Sequence, residues 1–591
     1  MYFLGINWET ISGSALLKDD RIVASVSEER FTRVKKEISF PMSAIKYCLQ
    51  FVDNSKTLDG VGIASLNGNY STMLYQSSNF SVADFLRDQH EVWYPRIYEG
   101  KQVDDAIVFK DKWVSDQYPN EYWREYSPAK KVTFTEESID IIADFLEIDR
   151  TLVVRIEHHY CHAYYGYHFS PFQQEKVVVI TIDGAGDDGI NATVSIVENG
   201  KFRRIYATDK CILGRMYSHI TLLLGMRRRE HEYKVMGLAP YAKSKDAYHA
   251  YEIFSSILSL DGIEFVWKDR PPDSYFYFKK KLEGIRFDNI AAGLQIWVED
   301  MVCKWVENIV EETGIDTIII SGGVSMNIKA MGKVAELPCV RRFFVPGTGS
   351  DDSNCIGAAI GASLHFNEDY GNIIKSNSLV IGTDAALDSE KVLEEAENDE
   401  TLIVKRGPND ELIAKLLEKG FVIGRCVGRM EFGQRALGNR SILADPINTD
   451  IVPRINSMIK SRDFWMPFAP VVLDTHVDRY LINPKDITSP HMTIAFKTTD
   501  EGWKNMKAAC HSSDRTARAQ ILLKKDNEGF YELLESFEKL TGRGALLNTS
   551  FNLHGHPIVN TAMEAYKIFK ATEMEGLLLG NGLILKKEMM S

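Results

Sequence analysis

The sequence predicts an α/β fold whose first half is duplicated. A strand that ends in a polar loop and continues into a β-hairpin occurs twice. A third buried strand then runs into a loop of small residues. The chain has 591 residues, which is too long for one ordinary core, so two or more domains are expected.

The first strand-and-hairpin unit lies at the amino terminus. Residues 2–7 are apolar and extended, as expected for a strand. Residues 14–17 and 22–26 flank Lys18-Asp19-Asp20-Arg21, which is a turn sequence. A hairpin is therefore predicted directly after the first strand.

The second unit repeats this order. Residues 176–183 read KVVVITID, which is typical of a buried strand. Residues 193–197 and 202–206 flank Asn199-Gly200, the strongest short hairpin signal. The third strand is 317–320. Duplicated halves of this kind are typical of the actin-like (ribonuclease H-like) ATPase fold, which clamps a nucleotide between two lobes.

Composition shifts divide the chain. Residues 67–130 are rich in aromatic and polar side chains and interrupt the repeat, so we interpret them as an insertion. The alternatives for its aromatic residues are a local core or a ligand platform. A change near 366–376 predicts domains 1–370 and 371–591, and a mixed acidic helix is expected near 389–398.

Bulk properties limit the function classes. Hydrophobic content of 45% and charged content of 26% are usual for a soluble globular protein. The net charge of -13 argues against broad binding to nucleic acid or anionic membrane, although a local basic pocket can still hold a small anion. The eight cysteines form no CxxC pair, and neither a signal peptide nor a run of membrane-spanning length is evident. A cytoplasmic location is predicted.

Three groups of acidic or imidazole residues predict a mononuclear metal site. His158 and His162 lie at i and i+4, so a helix would point both rings the same way. Carboxylates are available in Asp183-Gly184-Ala185-Gly186-Asp187 and in Asp351-Asp352. His159 and Asp187 are alternative members of their groups. Mixed imidazole and carboxylate ligation suits iron, manganese or zinc.

Glycine-rich loops predict a nucleotide or phosphate site near those carboxylates. Gly322-Gly323 follows the third strand, and Gly347 and Gly349 precede Asp351. Small residues after a strand let the backbone approach a ligand. The alternative is that these glycines only form turns.

The second half carries a dense cationic patch at residues 428–441. Arginine offers a planar donor fork and glycine allows close approach, so an oxyanion clamp is predicted rather than a solvated basic face. The further cationic candidates are Lys460, Arg462, Arg518 and Arg543, and residues 548–552 add hydroxyl and amide groups. In the first half, Arg227-Arg228-Arg229 is typical of a solvated face near a helix end, or of an electrostatic guide for a phosphorylated substrate.

Long motifs along the whole chain resemble the O-carbamoyltransferase family of NodU, CmcH and TobZ. They include Glu28-Glu29-Arg30-Phe31-Thr32-Arg33 with Lys35, the HHxxHA and DGxGD runs, residues 232–241, EFGxRALGNRSILADP at 431–446, residues 467–470 and 516–518, and residues 547–552. The resemblance implies a first domain similar to the TsaD/Kae enzymes and a second, twisted-sheet α/β domain similar to YrdC/Sua proteins.

The resemblance also implies the chemistry. The second domain would form carbamoyladenylate from carbamoyl phosphate and ATP. The first domain would transfer the carbamoyl group to a hydroxyl of a small acceptor, such as a sugar or secondary metabolite, and release AMP. The expected cofactors are ATP with Mg²⁺, carbamoyl phosphate as co-substrate, and Fe(II) or another divalent metal. No nucleic-acid or membrane partner is expected, and a homodimer is compatible with the sequence.

Site residues follow from the matching motifs. The implied metal ligands are His158, His162, Asp183 and Asp351. The implied catalytic residues are Lys35, Lys234, Arg435, Arg440 and Arg518. The implied cofactor-binding residues are Gly184, Gly322, Gly323, Asn327, Lys460, Arg462, Asn548, Ser550 and Asn552.

The chain departs from the family pattern, and two other function classes compete. Thr10-Ile11 stands where many members carry a His-Asp pair, and Lys36 stands where the family often has His. One alternative is an actin-like ATPase or small-molecule kinase, which would release ADP. The other is a catalytically degenerate relative that binds nucleotide or metal without turnover.

Overall fold

The chain forms two compact units in a computed structural model that describes residues 1–65, 79–112, 128–367 and 378–589. The units are Met1–Asn377 and Ser378–Ser591. The boundary predicted between 370 and 371 lies outside the described residues. So does much of the predicted insertion, of which 79–112 and 128–130 are described.

The first unit contains twelve strands and fourteen α-helices within its described residues. The strands are β1 Tyr2–Asn7, β2 Gly13–Lys18, β3 Arg21–Ser27, β4 Gly60–Ala64, β5 Val153–Ile156, β6 Val177–Ile182, β7 Ala192–Glu198, β8 Lys201–Thr208, β9 Leu258–Asp261, β10 Glu264–Trp267, β11 Thr317–Ser321 and β12 Arg342–Phe344. The helices are α1 Glu29–Thr32, α2 Met42–Leu49, α3 Val82–Arg87, α4 Tyr94–Tyr98, α5 Asp105–Val108, α6 Pro128–Leu146, α7 His158–His168, α8 Leu213–Leu223, α9 Glu232–Leu238, α10 Ser244–Ser255, α11 Phe276–Lys281, α12 Phe287–Thr313, α13 Ile328–Glu336 and α14 Asn354–Phe366.

Two five-stranded sheets in this unit have the same topology. Their orders are β3-β2-β1-β4-β5 and β8-β7-β6-β11-β12. In each sheet the first three strands pair antiparallel and the remaining two add in parallel. The duplication predicted from the sequence is therefore confirmed, as an α/β fold of the actin-like type.

The second hairpin shows why its sequence signal was strong. Strands β7 and β8 are joined through Asn199 and Gly200, with Glu198 paired to Lys201. The φ angles of Asn199 and Gly200 are 52° and 74°, so both occupy the left-handed region that a tight hairpin turn of this hand requires. Asparagine and glycine reach this region at low cost.

Helix α14 packs unusually close to the first sheet and to α7, because glycines line its contacts. A Cβ atom on Gly5 would lie 1.9 Å from the Cys355 carbonyl oxygen, and one on Gly62 would lie 2.0 Å from the Ala358 oxygen. On the helix itself, a Cβ on Gly357 would lie 2.1 Å from the Cys161 oxygen of α7. Only glycine permits this approach. The start of α14 is thereby held against the start of α7.

The described part of the insertion forms a small core of its own. Phe80, Phe85, Val92 and Phe109 are buried together with Leu222 of α8 and with Tyr275, which precedes α11. Tyr94 and Tyr98 instead are partly exposed and stack with ring centroids 5.0 Å apart. Local core and exposed aromatic faces thus occur side by side. A role of this segment in acceptor choice stays a prediction.

The second unit is also α/β. Its strands are β13 Val380–Asp384, β14 Leu402–Arg406, β15 Ile423–Cys426, β16 Arg429–Glu431, β17 Arg440–Ala444, β18 Pro470–Leu473, β19 Leu481–Ile482, β20 Phe496–Thr498, β21 Thr516–Ala517, β22 Gln520–Leu522, β23 Ala545–Ser550, β24 Gly576–Leu579 and β25 Gly582–Lys586. Its α-helices are α15 Ala386–Glu397, α16 Asp410–Glu418, α17 Ile451–Ile455, α18 Val477–Tyr480, α19 Asp500–Met506, α20 Glu528–Thr541 and α21 Ala562–Ala571.

An eight-stranded sheet of order β14-β25-β24-β15-β17-β23-β18-β22 forms the centre of this unit. Alternate residues of each strand point to opposite faces, so Ile442 and Leu443 of β17 enter two different cores. One core includes α15 and α21, and the other includes α16 and α20. The likeness of this unit to YrdC proteins stays a prediction. Within the described ranges of both units, every helix is too short or too polar to cross a lipid bilayer.

Candidate active site

Two carboxylates fix where helix α7 begins. The Asp187 carboxylate accepts a hydrogen bond from the His158 amide at 2.9 Å. Glu157 accepts from the next two amides, of His159 and Tyr160, at 3.1 and 3.0 Å. The amides of a first helical turn have no partner within the helix, and these carboxylates accept their hydrogen bonds. The negative charge also interacts favourably with the positive end of the helix dipole. The helix therefore starts at His158, and the rings of His158 and His162 lie on one face.

These two rings meet two carboxylates in one buried cluster, called the metal cluster below. The Nε2 atoms of His158 and His162 are 3.1 Å apart. His162 Nε2 lies 3.1 Å from Asp183 Oδ2 and 3.5 Å from Asp351 Oδ1. The four ligand atoms all lie within 4.8 Å of one another. Ligands bound tetrahedrally at about 2.1 Å lie roughly 3.4 Å apart, so the spacing suits one metal ion.

The electrostatics of the metal cluster also suit a cation. Burial alone would lower the pKa of His158, but Asp183 and Asp351 raise that pKa to about 10. Asp351 Oδ1 is buried and has no hydrogen-bond partner among the described residues. The cluster therefore stabilises positive charge at its centre. The donor set of two imidazoles and two carboxylates fits iron, manganese or zinc.

The structure assigns other roles to His159 and Asp187, the alternatives left open by the sequence. His159 Nδ1 lies 2.7 Å from Thr181 Oγ1, and His159 Nε2 lies 2.9 Å from the Ile190 oxygen. Burial lowers the pKa of His159 to about 3, so its ring is neutral. Asp187 caps α7 and accepts from Ser65 Oγ at 2.5 Å. Neither residue contributes an atom to the metal cluster.

The predicted glycines lie around Asp183. The amide of Gly323 donates to Asp183 Oδ2 at 2.7 Å, and the amide of Gly184 donates to Asp183 Oδ1. Gly322 has a φ of 92°, and a Cβ there would lie 2.4 Å from the Ile182 oxygen. The glycine loop therefore holds this carboxylate in place. A nucleotide-binding role of these glycines stays a prediction.

Asn327 lies in the same region but contacts a different partner. Its side chain caps α13 by accepting from the Ala330 amide at 3.1 Å. It also exchanges two hydrogen bonds of 3.0 Å with the Gln295 amide group. These contacts anchor the start of α13 to α12.

Asn7, at the end of β1, joins the metal cluster to the loop that follows. Its side-chain amide donates to the backbone oxygens of Asp351 at 2.9 Å, Ile11 at 3.1 Å and Thr10 at 3.2 Å. Asn7 is 1% exposed, so these bonds are shielded from water. The neighbouring Asp352 bonds with Thr348 and Ser350, within its own loop.

The predicted Lys35 belongs to a second charged group. Lys35 Nζ lies 2.8 Å from Glu230 Oε1, and the other oxygen of Glu230 lies 2.7 Å from Arg227. Burial opposes ionisation of Glu230, yet Lys35 and Arg227 lower its pKa to about 2. Lys234, the other predicted lysine, lies in α9 and is half-buried. Sequence reasoning missed Asn7 and Glu230, because single polar residues outside a motif gave no signal.

Lys460, Ser550 and Asn552 of the second unit form one hydrogen-bonded group. Lys460 is 3% exposed, and its Nζ donates to Asn552 Oδ1 at 2.7 Å and to Ser550 Oγ at 3.2 Å. Nearby, Arg462 donates to Thr549 Oγ1 at 3.1 Å and covers the Phe468 ring. The structure thus brings these four predicted residues together at the end of β23.

Asn548 connects the arginine patch to the same strand. Its side chain donates to the Ala436 oxygen at 3.1 Å and to Gln520 Oε1 at 2.9 Å. Arg435 precedes Ala436, and Arg518 lies two residues before Gln520. Both arginines are half-buried. One region of the unit therefore contains three predicted residues that are far apart in the sequence, Arg435, Arg518 and Asn548.

Arg440 occupies a different environment. It is fully buried at 0% exposure, and its guanidinium donates to the backbone oxygens of Thr383, Val427, Gly428, Asn439 and Asn560 at 2.9–3.3 Å. A guanidinium has five N–H donors, and carbonyls engage them here. The geometry supports a role in holding the glycine-rich loops. The catalytic role implied by the resemblance stays a prediction.

Comparisons with known proteins agree with this organisation. Residues 3–360 match the family description "Carbamoyltransferase N-terminus", and residues 414–586 match "Carbamoyltransferase C-terminus". An uncharacterized protein of Methanocaldococcus jannaschii is 31% identical over 474 residues, which cover 76% of this chain and 76% of that protein.

An enzyme and a solved structure are more distant. The 3'-hydroxymethylcephem-O-carbamoyltransferase of Streptomyces clavuligerus is 25% identical over 355 residues, covering 59% of this chain and 63% of that enzyme. Component A of the (R)-2-hydroxyglutaryl-CoA dehydratase of Acidaminococcus fermentans covers 62% of this chain and 99% of its own, at 15% identity and a TM-score of 0.33. With both of its parts matched by the family, the chain belongs to the carbamoyltransferase family and is a transferase.

Proposed function

We propose that the chain is an ATP-dependent O-carbamoyltransferase that works through carbamoyladenylate. The observation that carries this proposal is the presence of a different charged centre in each unit. The first unit holds the buried imidazole–carboxylate cluster. The second holds cationic and amide groups gathered at the end of β23. Two centres suit two chemical steps.

The first step would take place in the second unit. Carbamoyl phosphate loses its phosphate to water, and an oxygen of the resulting carbamate attacks the α-phosphorus of ATP. Pyrophosphate leaves, and a mixed anhydride of carbamate and AMP forms. Both substrates are polyanions, so fixed cations such as Arg435, Arg462 and Arg518 would stabilise the charge that develops. Lys460 would position Ser550 and Asn552, which it contacts directly.

The second step would take place in the first unit. The acceptor oxygen bonds to the carbamoyl carbon, AMP leaves, and the hydroxyl proton is released. A divalent metal held by His158, His162, Asp183 and Asp351 would supply Lewis acidity there. The Gly323 amide holds Asp183, and Asn7 holds the Asp351 backbone. These contacts would help to keep the ligands oriented. The S. clavuligerus relative is by its name an O-carbamoyltransferase, which supports a hydroxyl acceptor.

Exchange of labelled pyrophosphate into ATP tests the first step without an acceptor. We expect exchange that depends on carbamoyl phosphate in the wild type and falls at least about 100-fold in Arg435→Ala, because one preorganised donor to a transition state is worth roughly 10²–10³ in rate. The matched control is Arg479→Ala, which removes an exposed arginine paired with Glu501 in the same unit. Formation of ADP instead of exchange would favour the kinase alternative and contradict the proposal.

A further inference from the structure

We infer that the acceptor carries a phosphate group, and that this phosphate binds a cationic pocket beside the metal cluster. The inference rests on the proposed function, because it names the acceptor class of that reaction. The pocket is a shallow depression that is partly open to solvent. Its walls include Thr10, Lys36, Arg227, Arg228, Arg229 and Glu230.

Cations outnumber acids among the residues of these walls, which also include Ile38 and Phe85. Four of the named lining residues are cationic and one is acidic, which leaves a net charge of +3. Glu230 pairs with Arg227 of the wall and with Lys35 next to it. Further acids lie at the same residues and reduce the positive excess: Asp88 lies 3.9 Å from Arg228, Glu232 accepts from the Arg229 amide, and Glu29 accepts from the Lys36 amide. In a chain of net charge -13, such a local excess of cations predicts an anionic ligand.

Arg228 is the most informative of the cations. Its side chain is 12% exposed, so it does not lie on the solvated face that the sequence favoured for the arginine triplet. The guanidinium covers the Phe85 ring, and its nearest acid, Asp88, lies 3.9 Å away. Its Nε is buried without a hydrogen-bond partner among the described residues. An incompletely satisfied buried guanidinium is costly unless an anion joins it.

The backbone of the pocket is held in an uncommon conformation. Lys36 and Arg229 both have positive φ angles, of 57° and 65°. Few non-glycine residues adopt this region, because it costs conformational energy that other contacts in the structure must offset. Lys36 Nζ also donates to the Arg229 backbone oxygen. The two segments are thereby locked together so that their cations face one space.

The pocket is joined to the metal cluster by a single side chain. Asn7 donates both to the Thr10 oxygen, in the pocket wall, and to the Asp351 oxygen, in the cluster. Thr10 is the position where many family members carry histidine. A phosphate held in the pocket would therefore bring the rest of the acceptor next to the transfer centre.

Arginine-directed footprinting of the whole chain tests the site directly. Phenylglyoxal modification of Arg229, which is exposed, is followed by peptide mass spectrometry. We expect glucose 6-phosphate to slow this modification at least about fivefold at constant ionic strength, whereas glucose has no effect. Glucuronate tests whether a carboxylate binds in place of a phosphate. Protection by glucuronate alone would show that the pocket binds carboxylates, and would contradict a phosphate site. Protection by carbamoyl phosphate with ATP alone, or by no compound, would overturn the inference.

Charge-removal variants supply the second measurement. Lys36→Gln is expected to weaken the binding of glucose 6-phosphate about tenfold, as measured by titration calorimetry. Arg203→Gln, at an exposed position of β8, removes the same charge and should leave the affinity unchanged. Equal effects of the two variants would indicate general attraction to surface cations and refute a defined pocket. Neither measurement needs turnover, so failure of phosphate binding and failure of pyrophosphate exchange can be told apart.

Discussion

Residues of one type take different roles in this protein because their neighbours differ. His158, His159 and His162 lie within five positions on one helix. The carboxylate caps start α7 at His158 and thereby set the helical register. That register aims His158 and His162 at Asp183, while His159 turns to Thr181 and Ile190. The position of the helix cap therefore determines which histidines face the carboxylates and which one bonds within the fold.

If the cluster binds a metal as proposed, replacing His162 by alanine should abolish that binding without unfolding the chain. His162 Nε2 is the atom nearest to the other three ligand groups, and supporting residues alone are worth about 10–100-fold in metal affinity. We expect metal content, measured by elemental mass spectrometry after dialysis, to fall to near zero. Circular dichroism should stay native. His365→Ala, at an exposed position of α14, is the matched control. Full metal content in His162→Ala would exclude this cluster as the site.

At the scale of elements, close contact of α14 with α7 positions Asp351. Asp351, a predicted metal ligand, lies just before α14, and a Cβ on Gly357 of that helix would meet the Cys161 oxygen of α7. The distance between α7 and α14 thus determines whether the four ligand groups converge. The periodicity of either helix alone gives no measure of that spacing.

Gly357→Ala should therefore be destabilising, although alanine favours helices over glycine. The added methyl group would lie 2.1 Å from a backbone oxygen, so the helices must separate, at a cost of about 1–3 kcal/mol. We expect a lower unfolding temperature and a weaker metal affinity. Gly529→Ala in α20 makes the same change where the nearest atom is 3.7 Å away, and should be neutral or stabilising. Equal thermal stability of both variants would contradict this account of α14.

The ion pairs of Glu230 connect the segment after α1 to the arginine triplet and should show in the pH dependence of stability. The folded pKa of Glu230, about 2, lies below its ordinary value of 4.5. Its ionised form therefore stabilises the fold above about pH 4.5, and this contribution is lost as the pH falls through about 2. We expect wild type to exceed Glu230→Gln by about 2–3 kcal/mol in free energy of unfolding at pH 7.

Urea unfolding between pH 7 and pH 3 measures this difference, which should shrink steadily below pH 4.5. Glu198→Gln removes an exposed carboxylate with a surface partner and serves as the control, with little difference at any pH. A difference for Glu230→Gln that stays constant over this range would show that the ion pairs do not account for it.

Features encoded locally could be predicted from the sequence. The Asn199-Gly200 hairpin and the histidine pair depend on neighbours a few residues apart. Arg228 and Arg440 could not be predicted, because their environments come from distant segments. Arg228 is covered by Phe85, and Arg440 is surrounded by carbonyls of residues as far away as Asn560. An arginine-rich run cannot reveal which guanidinium is buried by the rest of the fold.

At the scale of the whole molecule, the two units divide the proposed chemistry by the kind of charge they hold. The first concentrates carboxylates and imidazoles, which attract a cation. The second concentrates arginine, lysine and amide groups, which attract polyanions. The metal cluster and the groups at the end of β23 would therefore bind different ligands.

This division predicts that the metal and the exchange activity can each be removed without loss of the other. Removing transition metal with phenanthroline, with Mg²⁺ in excess, should leave pyrophosphate exchange within about twofold of its untreated rate, because the cations proposed to stabilise adenylate formation are part of the protein. Arg435→Ala should lose exchange yet retain full metal content, since its site shares no residue with the metal cluster. Elemental analysis and exchange assays on the same preparations measure both quantities. Loss of exchange on chelation, with the fold intact, would mean that adenylate formation itself needs the metal, and would contradict the assignment of one step to each unit.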